Sequence, residues 1–194
     1  MTNAGLIALQ AMASASSVVQ CLSPLPSIYR VHKAKNTGEL SVLPLASLLG
    51  VCHIWMMYGY LSGSIFPLCA TYLFGDVVSV MYIIVFYRYT SERKYTFQVV
   101  ASVVFVLLLV TVYVALGKLG VTDQSTNQVS SIIGFIGIGV SIILYASPLE
   151  TIKRVITTKS ASSIPILLCV VGTISNALWT ADGLIIGDIQ NEAI

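Results

Sequence analysis

Charged residues are scarce in this chain of 194 residues. Asp, Glu, Lys and Arg make up 9% of it and hydrophobic residues 56%, whereas an ordinary soluble domain has about 25% charged residues. The net charge of +2 is too small to indicate a nucleic-acid partner. The composition therefore predicts an integral, multi-pass membrane protein that is surrounded by lipid.

Motifs for catalysis and metal binding are also lacking. No CxxC spacing, Ser-His-Asp set, phosphate-binding loop or zinc-type spacing is found, so we expect no enzyme, cofactor or metal. Buried thiols are favoured for the four cysteines, which lie in or beside apolar segments. They are Cys21, Cys52, Cys69 and Cys169. His53 lies within an apolar segment without a metal partner, which favours a packed or hydrogen-bonded side chain.

Long apolar segments are what the sequence does contain. A helix rises about 1.5 Å per residue, so crossing a hydrocarbon core of about 30 Å takes about 20 residues. Six segments approach this length, and we expect each to be a transmembrane helix. They cover residues 6–22, 42–61, 67–87, 97–116, 129–149 and 165–186. A signal peptide is the alternative for the first, but no basic region precedes it.

One stretch of sequence occurs twice. The tripeptide Ser-Pro-Leu at 23–25 recurs at 147–149, which is 124 positions later, and the same offset aligns seven identical residues over 23–35 and 147–159. Each copy connects two apolar segments. The duplicated unit is therefore predicted to be a pair of hydrophobic helices joined by a basic, proline-flanked turn.

Positive charges predict the topology. Nine of the ten Lys and Arg residues follow the first, third and fifth segments, which places these connections in the cytosol and the N-terminus on the extracellular or lumenal side. A fourth segment without Gly or Pro then restores the direction of the second copy. We expect a first three-helix repeat at 6–87, a linker helix at 97–116 and a second, incomplete repeat at 129–194.

Several short motifs together resemble the SWEET family of sugar transporters, also called MtN3/saliva. They are SPL at 23–25, Leu43-Pro44, Trp55 followed by Tyr58-Gly59, YASPL at 145–149, TKS at 158–160, Pro165, and Trp179 four residues before Gly183. The resemblance implies an all-α transmembrane fold of two parallel three-helix-bundle repeats joined by a linker helix. It also implies facilitated, bidirectional diffusion of a mono- or disaccharide by alternating access.

The resemblance also implies hinge and gate residues. The family has four prolines near the cytosolic helix ends that act as hinges, and the matching positions here are Pro24, Pro44, Pro148 and Pro165. The alternative is that these prolines only begin and end helices. Tyr58, Asp182 and Asp188 are expected to form an outer gate, although Asp182 stands where the family commonly has tyrosine.

Two tryptophans are the first candidates for binding a sugar. Trp55 and Trp179 are 124 residues apart, so they occupy equivalent depths in the two repeats. Their rings suit the C–H faces of a sugar, and the alternative is that they anchor the protein at the membrane interface. Asn176 precedes Trp179 by three residues and is expected to bond either a sugar hydroxyl or a neighbouring helix.

Two further candidates lie in the third segment. Tyr72 takes the place of the family's asparagine, three residues before Gly75, which brings the usual pocket size into question. Asp76 is an ionisable group within a membrane segment and is therefore a functional candidate. The alternative for Asp76 is a structural hydrogen bond to a neighbouring helix.

The family continues with a seventh helix, whereas this sequence ends at Ile194. We therefore expect six helices and an oligomer with copies of itself or with other family members. The alternatives are a non-transporting subunit that regulates longer homologues, or a carrier of amino or organic acids. The plasma membrane is the first expectation for its location, with Golgi and vacuolar membranes as alternatives.

Overall fold

Helices make up all of the regular structure that is described. The computed structural model describes residues 3–38, 40–158 and 166–192, and the side chains of 5–38, 40–144 and 170–185. The seven α-helices in these ranges are α1 (Asn3–Leu22), α2 (Leu25–Ala34), α3 (Leu43–Leu61), α4 (Ala70–Tyr89), α5 (Arg93–Lys118), α6 (Thr126–Thr158) and α7 (Ile166–Glu192). The predicted all-α fold is confirmed, with one short helix, α2, beyond the six that were expected.

Membrane-spanning length is reached by five segments of the described ranges. They are Gly5–Ala34, Leu43–Leu61, Ile65–Tyr89, Arg93–Lys118 and Thr126–Leu144. The span in α5 has the highest mean hydropathy of the five, 2.9, and only 17% of it is buried inside the protein. A helix that is apolar on every side and largely uncovered meets lipid on most of its surface.

Helix α3 lies at the centre of the bundle. It packs against α4, α5 and α6, whereas α1 packs against α4 and α7. The main apolar core includes Leu45, Leu49 and Ile54 of α3 together with Val129 and Ile133 of α6. The contacts of α3 with α6 and of α1 with α7 connect the two predicted repeats.

The first copy of the duplicated stretch contains a short helix where the sequence predicted a turn. Helix α2 begins after Pro24 and ends at Ala34. The residue that caps it, Lys35, has a left-handed φ of 55°. Ile28 and Val31 are both buried, and they lie on the same face of α2, which packs against α4. In the second copy, the residues that match α2 are 149–158, and they continue α6 without a break.

A close approach of backbones shapes the connection from α3 to α4. A π-helical turn at Ile65–Cys69 precedes α4, and Phe66 within it is extended at φ −124° and ψ 128°. A Cβ atom added to Gly59 would lie 2.8 Å from the backbone nitrogen of Cys69. Only glycine at position 59 therefore lets α3 approach this turn so closely.

Replacing Gly59 with alanine tests this contact. We expect Gly59→Ala to lower the free energy of unfolding by about 1–3 kcal/mol, because the new methyl group displaces backbone atoms. Thermal unfolding of the purified protein in detergent measures this loss. Gly139→Ala is the matched control, since a Cβ there would meet no atom within 4 Å. Equal midpoints for the two variants would contradict the prediction.

Candidate functional site

Trp55 of α3 is held by α6. Its indole Nε1–H donates a hydrogen bond to Ser141 Oγ at 3.2 Å. The ring lies against Gly137 of the same helix, where an added Cβ would be 3.3 Å from Cε2 of Trp55. A small residue at 137 thus lets the indole lie directly on the backbone of α6, as small residues do at interfaces between membrane helices.

Trp179 of α7 is held by α1. Its Nε1–H donates a hydrogen bond to Ser17 Oγ at 2.8 Å. The Ser17 hydroxyl shares a second hydrogen bond of 2.7 Å with Ser175, and both serines are buried. The three side chains therefore form a hydrogen-bonded group across the α1–α7 contact.

The two tryptophan–serine bonds are equivalent under the duplication. Ser141 follows Ser17 by 124 residues, the same offset that separates Trp179 from Trp55. Each tryptophan bonds the serine of the opposite repeat, so exchanging the repeats exchanges the two bonds. The serines were not singled out from the sequence, because serine is too common for one matched pair to be a signal.

Aromatic rings surround Trp55 within the bundle. Tyr72 stacks on it with ring centroids 6.4 Å apart and an interplanar angle of 28°, and Tyr58 meets its edge at 5.5 Å and 80°. Both tryptophans pack against the same apolar cluster. Its buried members are Cys21, Leu48, Val51, Cys52, Leu68, Tyr72 and Leu144. The structure thus brings Trp55, Tyr72 and Trp179 together inside the protein, and no member of this cluster carries a fixed charge.

Two of the predicted gate residues lie one helical turn beyond the tryptophans. The ring of Tyr58 lies over Gly134 of α6, where an added Cβ would be 3.3 Å from Cε2. Asp182 is buried and accepts a hydrogen bond from Gln10 of α1. Tyr58 and Asp182 are again 124 residues apart, as are Gln10 and Gly134. Equivalent positions therefore carry chemically different contacts at the two interfaces.

Asp76 does not join the tryptophans. Its carboxylate Oδ2 lies 3.0 Å from Nδ1 of His53, whose Nε2 lies 2.9 Å from Thr111 Oγ1 of α5. Asp76 is thus bonded to one neighbouring helix, α3, as in the alternative to direct substrate binding, and His53 is hydrogen-bonded as expected. Asn176 is exposed on α7, on the turn before Trp179.

Of the four predicted hinge prolines, the structure describes the side chains of two, Pro24 and Pro44, both in the first repeat. Pro24 is the N-cap residue of α2, and Pro44 lies in the first turn of α3. Pro148 lies within α6, but its side chain is outside the described residues, as is the side chain of Asp188. Pro165 lies outside the described residues entirely.

The helical bundle with a duplicated interface defines a multi-pass membrane protein that is built from repeats. A sequence profile described as "sugar efflux transporter for intercellular exchange" matches residues 8–94 and 131–190. The chain belongs to this family, MtN3/saliva, and the family resemblance seen in the sequence is confirmed.

Two relatives from plants show the extent of the similarity. The chain is 29% identical to the bidirectional sugar transporter N3 of Medicago truncatula over 174 residues, which cover 87% of this chain and 62% of the relative. It is 30% identical to SWEET11 of Arabidopsis thaliana, with 87% of this chain and 57% of the relative covered. The chain thus spans about three-fifths of the length of these relatives.

A solved structure has the same fold. A eukaryotic SWEET transporter superposes with a TM-score of 0.76 at 23% identity, and the match covers 94% of this chain and 85% of that one. At this identity the similarity establishes the fold alone, which is a bundle of α-helical membrane spans.

Removing one serine tests the hydrogen bonds at the α1–α7 interface. We expect Ser17→Ala to lower the free energy of unfolding by about 1–3 kcal/mol, because Trp179 Nε1–H and Ser175 Oγ lose a partner in a buried site. Thermal unfolding in detergent measures the change. Ser131→Ala is the control, since this exposed hydroxyl bonds only the carbonyl of Asn127 in its own helix. A loss equal to that of the control would refute the assigned bond.

Proposed function

We propose that this chain carries a mono- or disaccharide across a membrane by facilitated, bidirectional diffusion. The two repeats, 6–87 and 129–194, move relative to each other about a central site, and the helix at 97–116 links them. The observation that carries this proposal is the pair of equivalent tryptophan–serine bonds across the repeat interface. Its relatives are named bidirectional sugar transporters, which supports the same activity here.

The chemistry of the interface suits an uncharged sugar. Sugars present C–H faces that pack on aromatic rings and hydroxyls that donate and accept hydrogen bonds. Trp55 and Tyr72 supply a stacked aromatic surface, and Trp179 lies on the same cluster. Ser17, Ser141 and the two indole N–H groups supply donors and acceptors. No charged side chain is needed to bind such a substrate.

Alternating access requires contacts that break at small cost, and these contacts are weak. A neutral hydrogen bond contributes only about 0.5–1.5 kcal/mol net, so a sugar hydroxyl can replace a tryptophan–serine bond at small cost. Tyr58 on Gly134 and Asp182 with Gln10 lie toward one end of the same interfaces. Opening these contacts while the opposite end closes exposes the site to one side at a time.

The prolines act as hinges at the other end of the bundle in this proposal. Pro24 separates α1 from α2, and Pro44 begins α3, so both mark points where the backbone changes direction. Pro148 and Pro165 are the corresponding residues of the second repeat. Bending at helix ends moves the bundles without disrupting their packed centres.

Basic residues support a cytosolic location for the hinge end. Arg30, Lys33 and Lys35 lie on or directly after α2, and Lys35 Nζ donates a 3.0 Å hydrogen bond to Tyr89 Oη at the end of α4. The turns after the first and third spans therefore meet at one end of the bundle. By the positive-inside rule this end faces the cytosol of a cell whose plasma membrane holds the protein.

Transport by tryptophan variants tests the binding surface. We expect Trp55→Ala and Trp179→Ala to lower sugar uptake at low concentration by about tenfold, since each loses an aromatic contact of about 0.5–1.5 kcal/mol and opens a void. Radiolabelled glucose and sucrose uptake in a transporter-deficient host measures this, normalised to surface expression. Phe105→Ala is the control, because that side chain is 62% exposed on α5.

Unchanged uptake in both tryptophan variants would refute the proposed binding surface. If the unmodified chain moves neither sugar but co-purifies with a longer homologue, the transport proposal is wrong and a role as a regulatory subunit replaces it. An assembly of two or more copies that transports is consistent with the proposal, since the partners we expect are copies of the chain or other family members.

Pro24 provides a test of the hinge. We expect Pro24→Ala to slow uptake by roughly tenfold, about 1.4 kcal/mol in the barrier, because alanine lets α1 continue into α2 and stiffens the junction. Initial uptake rates at saturating sugar measure this effect. Pro26→Ala is the matched control, an exposed proline in the first turn of α2. Equal rates in the two variants would show that Pro24 only caps a helix.

A further inference from the structure

A polar group of three side chains joins three apolar helices away from the tryptophans. His53 of α3 lies between Asp76 of α4 and Thr111 of α5, with Nδ1 3.0 Å from Asp76 Oδ2 and Nε2 2.9 Å from Thr111 Oγ1. The side chains of His53 and Asp76 are each only 17% exposed. An imidazole and a carboxyl group within membrane spans are costly unless they pair and have a role.

The hydrogen bonds of Thr111 favour a hydrogen on one of the two imidazole nitrogens of His53. Its hydroxyl donates to the carbonyl of Leu107 in the preceding turn, at 2.8 Å. A threonine hydroxyl has one hydrogen, so Oγ1 acts as acceptor toward His53. With the Thr111 hydroxyl directed to Leu107, we assign the Nε2 atom of His53 as the donor of the 2.9 Å bond.

The bond between His53 and Asp76 then requires a further proton. A neutral imidazole has only one N–H, and Nε2 already carries it. Without another proton, the lone pairs of Nδ1 and of Asp76 Oδ2 would face each other at 3.0 Å. With it, either as Nδ1–H or as a carboxylic acid, the bond forms and the pair has no net charge.

The surroundings of Asp76 favour the form that holds this proton. Its second oxygen, Oδ1, is buried and has no hydrogen-bond partner among the described residues. An ionised carboxylate with a bare oxygen and no compensating cation is unfavourable in a membrane span. The proton removes that net charge without any other cation in contact with the pair.

Other titratable groups near the pair are few among the described residues. Cys52 on α3 interacts electrostatically with Asp76 and contacts Cys21 of α1, with sulfur atoms 3.7 Å apart. On α5 the nearest cation is Lys118, two turns beyond Thr111, whose ammonium lies 5.3 Å from the ring centroid of Tyr60. Among the side chains that the structure describes, no lysine or arginine forms an ion pair with Asp76.

A cavity lies beside Thr111. It has a volume of about 530 Å³, and Thr111, Met57, Tyr60 and Lys118 are among its lining residues. Thr111 and Lys118 are seven residues apart, or about 10 Å along the helix. The cavity therefore extends along α5 from Thr111 toward the end that carries Lys118.

We propose that His53 and Asp76 form a binding site for one proton inside the membrane, with Thr111 as a positioning residue that selects the Nε2–H tautomer. The site is independent of which solute the chain carries. It joins the first repeat to the linker helix while its charge is balanced. When the proton leaves, a net negative charge remains among α3, α4 and α5.

Release of the proton rearranges the hydrogen bonds of the group. After release, the imidazole donates from Nδ1 to the Asp76 carboxylate. Its bare Nε2 then accepts from the Thr111 hydroxyl, which leaves the carbonyl of Leu107.

Nitrogen NMR of histidine-labelled protein tests this inference directly. The chain has two histidines, so ¹⁵N-histidine labelling of the full chain in lipid nanodiscs gives two sets of ring signals, and His53→Gln identifies those of His53. We expect a protonated Nε2 at neutral pH. Raising the pH from about 5 to 10 should convert His53 in a single step to the Nδ1–H form.

Variants show whether Asp76 shares this proton. In Asp76→Asn the step should vanish, because an amide hydrogen replaces the shared proton and keeps Nε2 protonated at every pH. Asp123→Asn, which changes an exposed carboxyl group, should leave the step in place. Thr111→Val should weaken the preference for Nε2–H, and Thr111→Ser should restore it.

Three results would overturn the proposal. The first is that His53 in the unmodified protein carries hydrogen only on Nδ1 at neutral pH. Another is a titration step that is the same in Asp76→Asn as in the unmodified protein. The third is the absence of any step over the whole pH range, since a proton site must release its ligand.

Discussion

Hydrogen bonds between helices in lipid are the constraint on which this structure depends. Apolar side chains gain little from each other in a membrane, because lipid tails are equally apolar, so helices associate through close packing and polar contacts. Trp55 bonds Ser141 and Trp179 bonds Ser17, and Gly137 lets an indole lie on the facing helix. The aromatic surface and the contacts of Tyr58 and Asp182 lie on the same two interfaces, so their geometry follows from these bonds.

The two repeats share the tryptophan–serine bonds, but they do not share the polar group around His53. Trp55 bonds Ser141 across the α3–α6 contact, and the residues 124 positions away from this pair, Trp179 and Ser17, bond across the α1–α7 contact. The group of His53, Asp76 and Thr111 has no such counterpart: Ala177 occupies the position that matches His53, and Thr111 belongs to the linker helix. The tryptophan–serine bonds thus occur in both repeats, whereas the group of His53, Asp76 and Thr111 connects only the first repeat with the linker helix.

Much of the fold could be predicted from patterns in the sequence, and particular residues show where prediction ended. Apolar length located the six long helices, although their ends differ by several residues because helices extend past the hydrocarbon core. Helix α2 was missed because basic residues surround Ile28 and Val31, and only contact with α4 makes these two an inner face. The serines that bond the tryptophans were likewise missed, since a hydroxyl carries no signal until its partner is known.

The sequence by itself determined that the chain spans a membrane several times, that one stretch is duplicated, and that the same offset separates Trp55 from Trp179. These properties follow from residue counts and spacings, which the bilayer thickness and the helical rise convert into lengths. Only the tertiary structure decided that Asp76 bonds His53 and which helix each indole contacts. The physical reason is rotation about the helix axis: a helix that is apolar on all sides has no pattern that selects its inner face, so packing against its neighbours selects it.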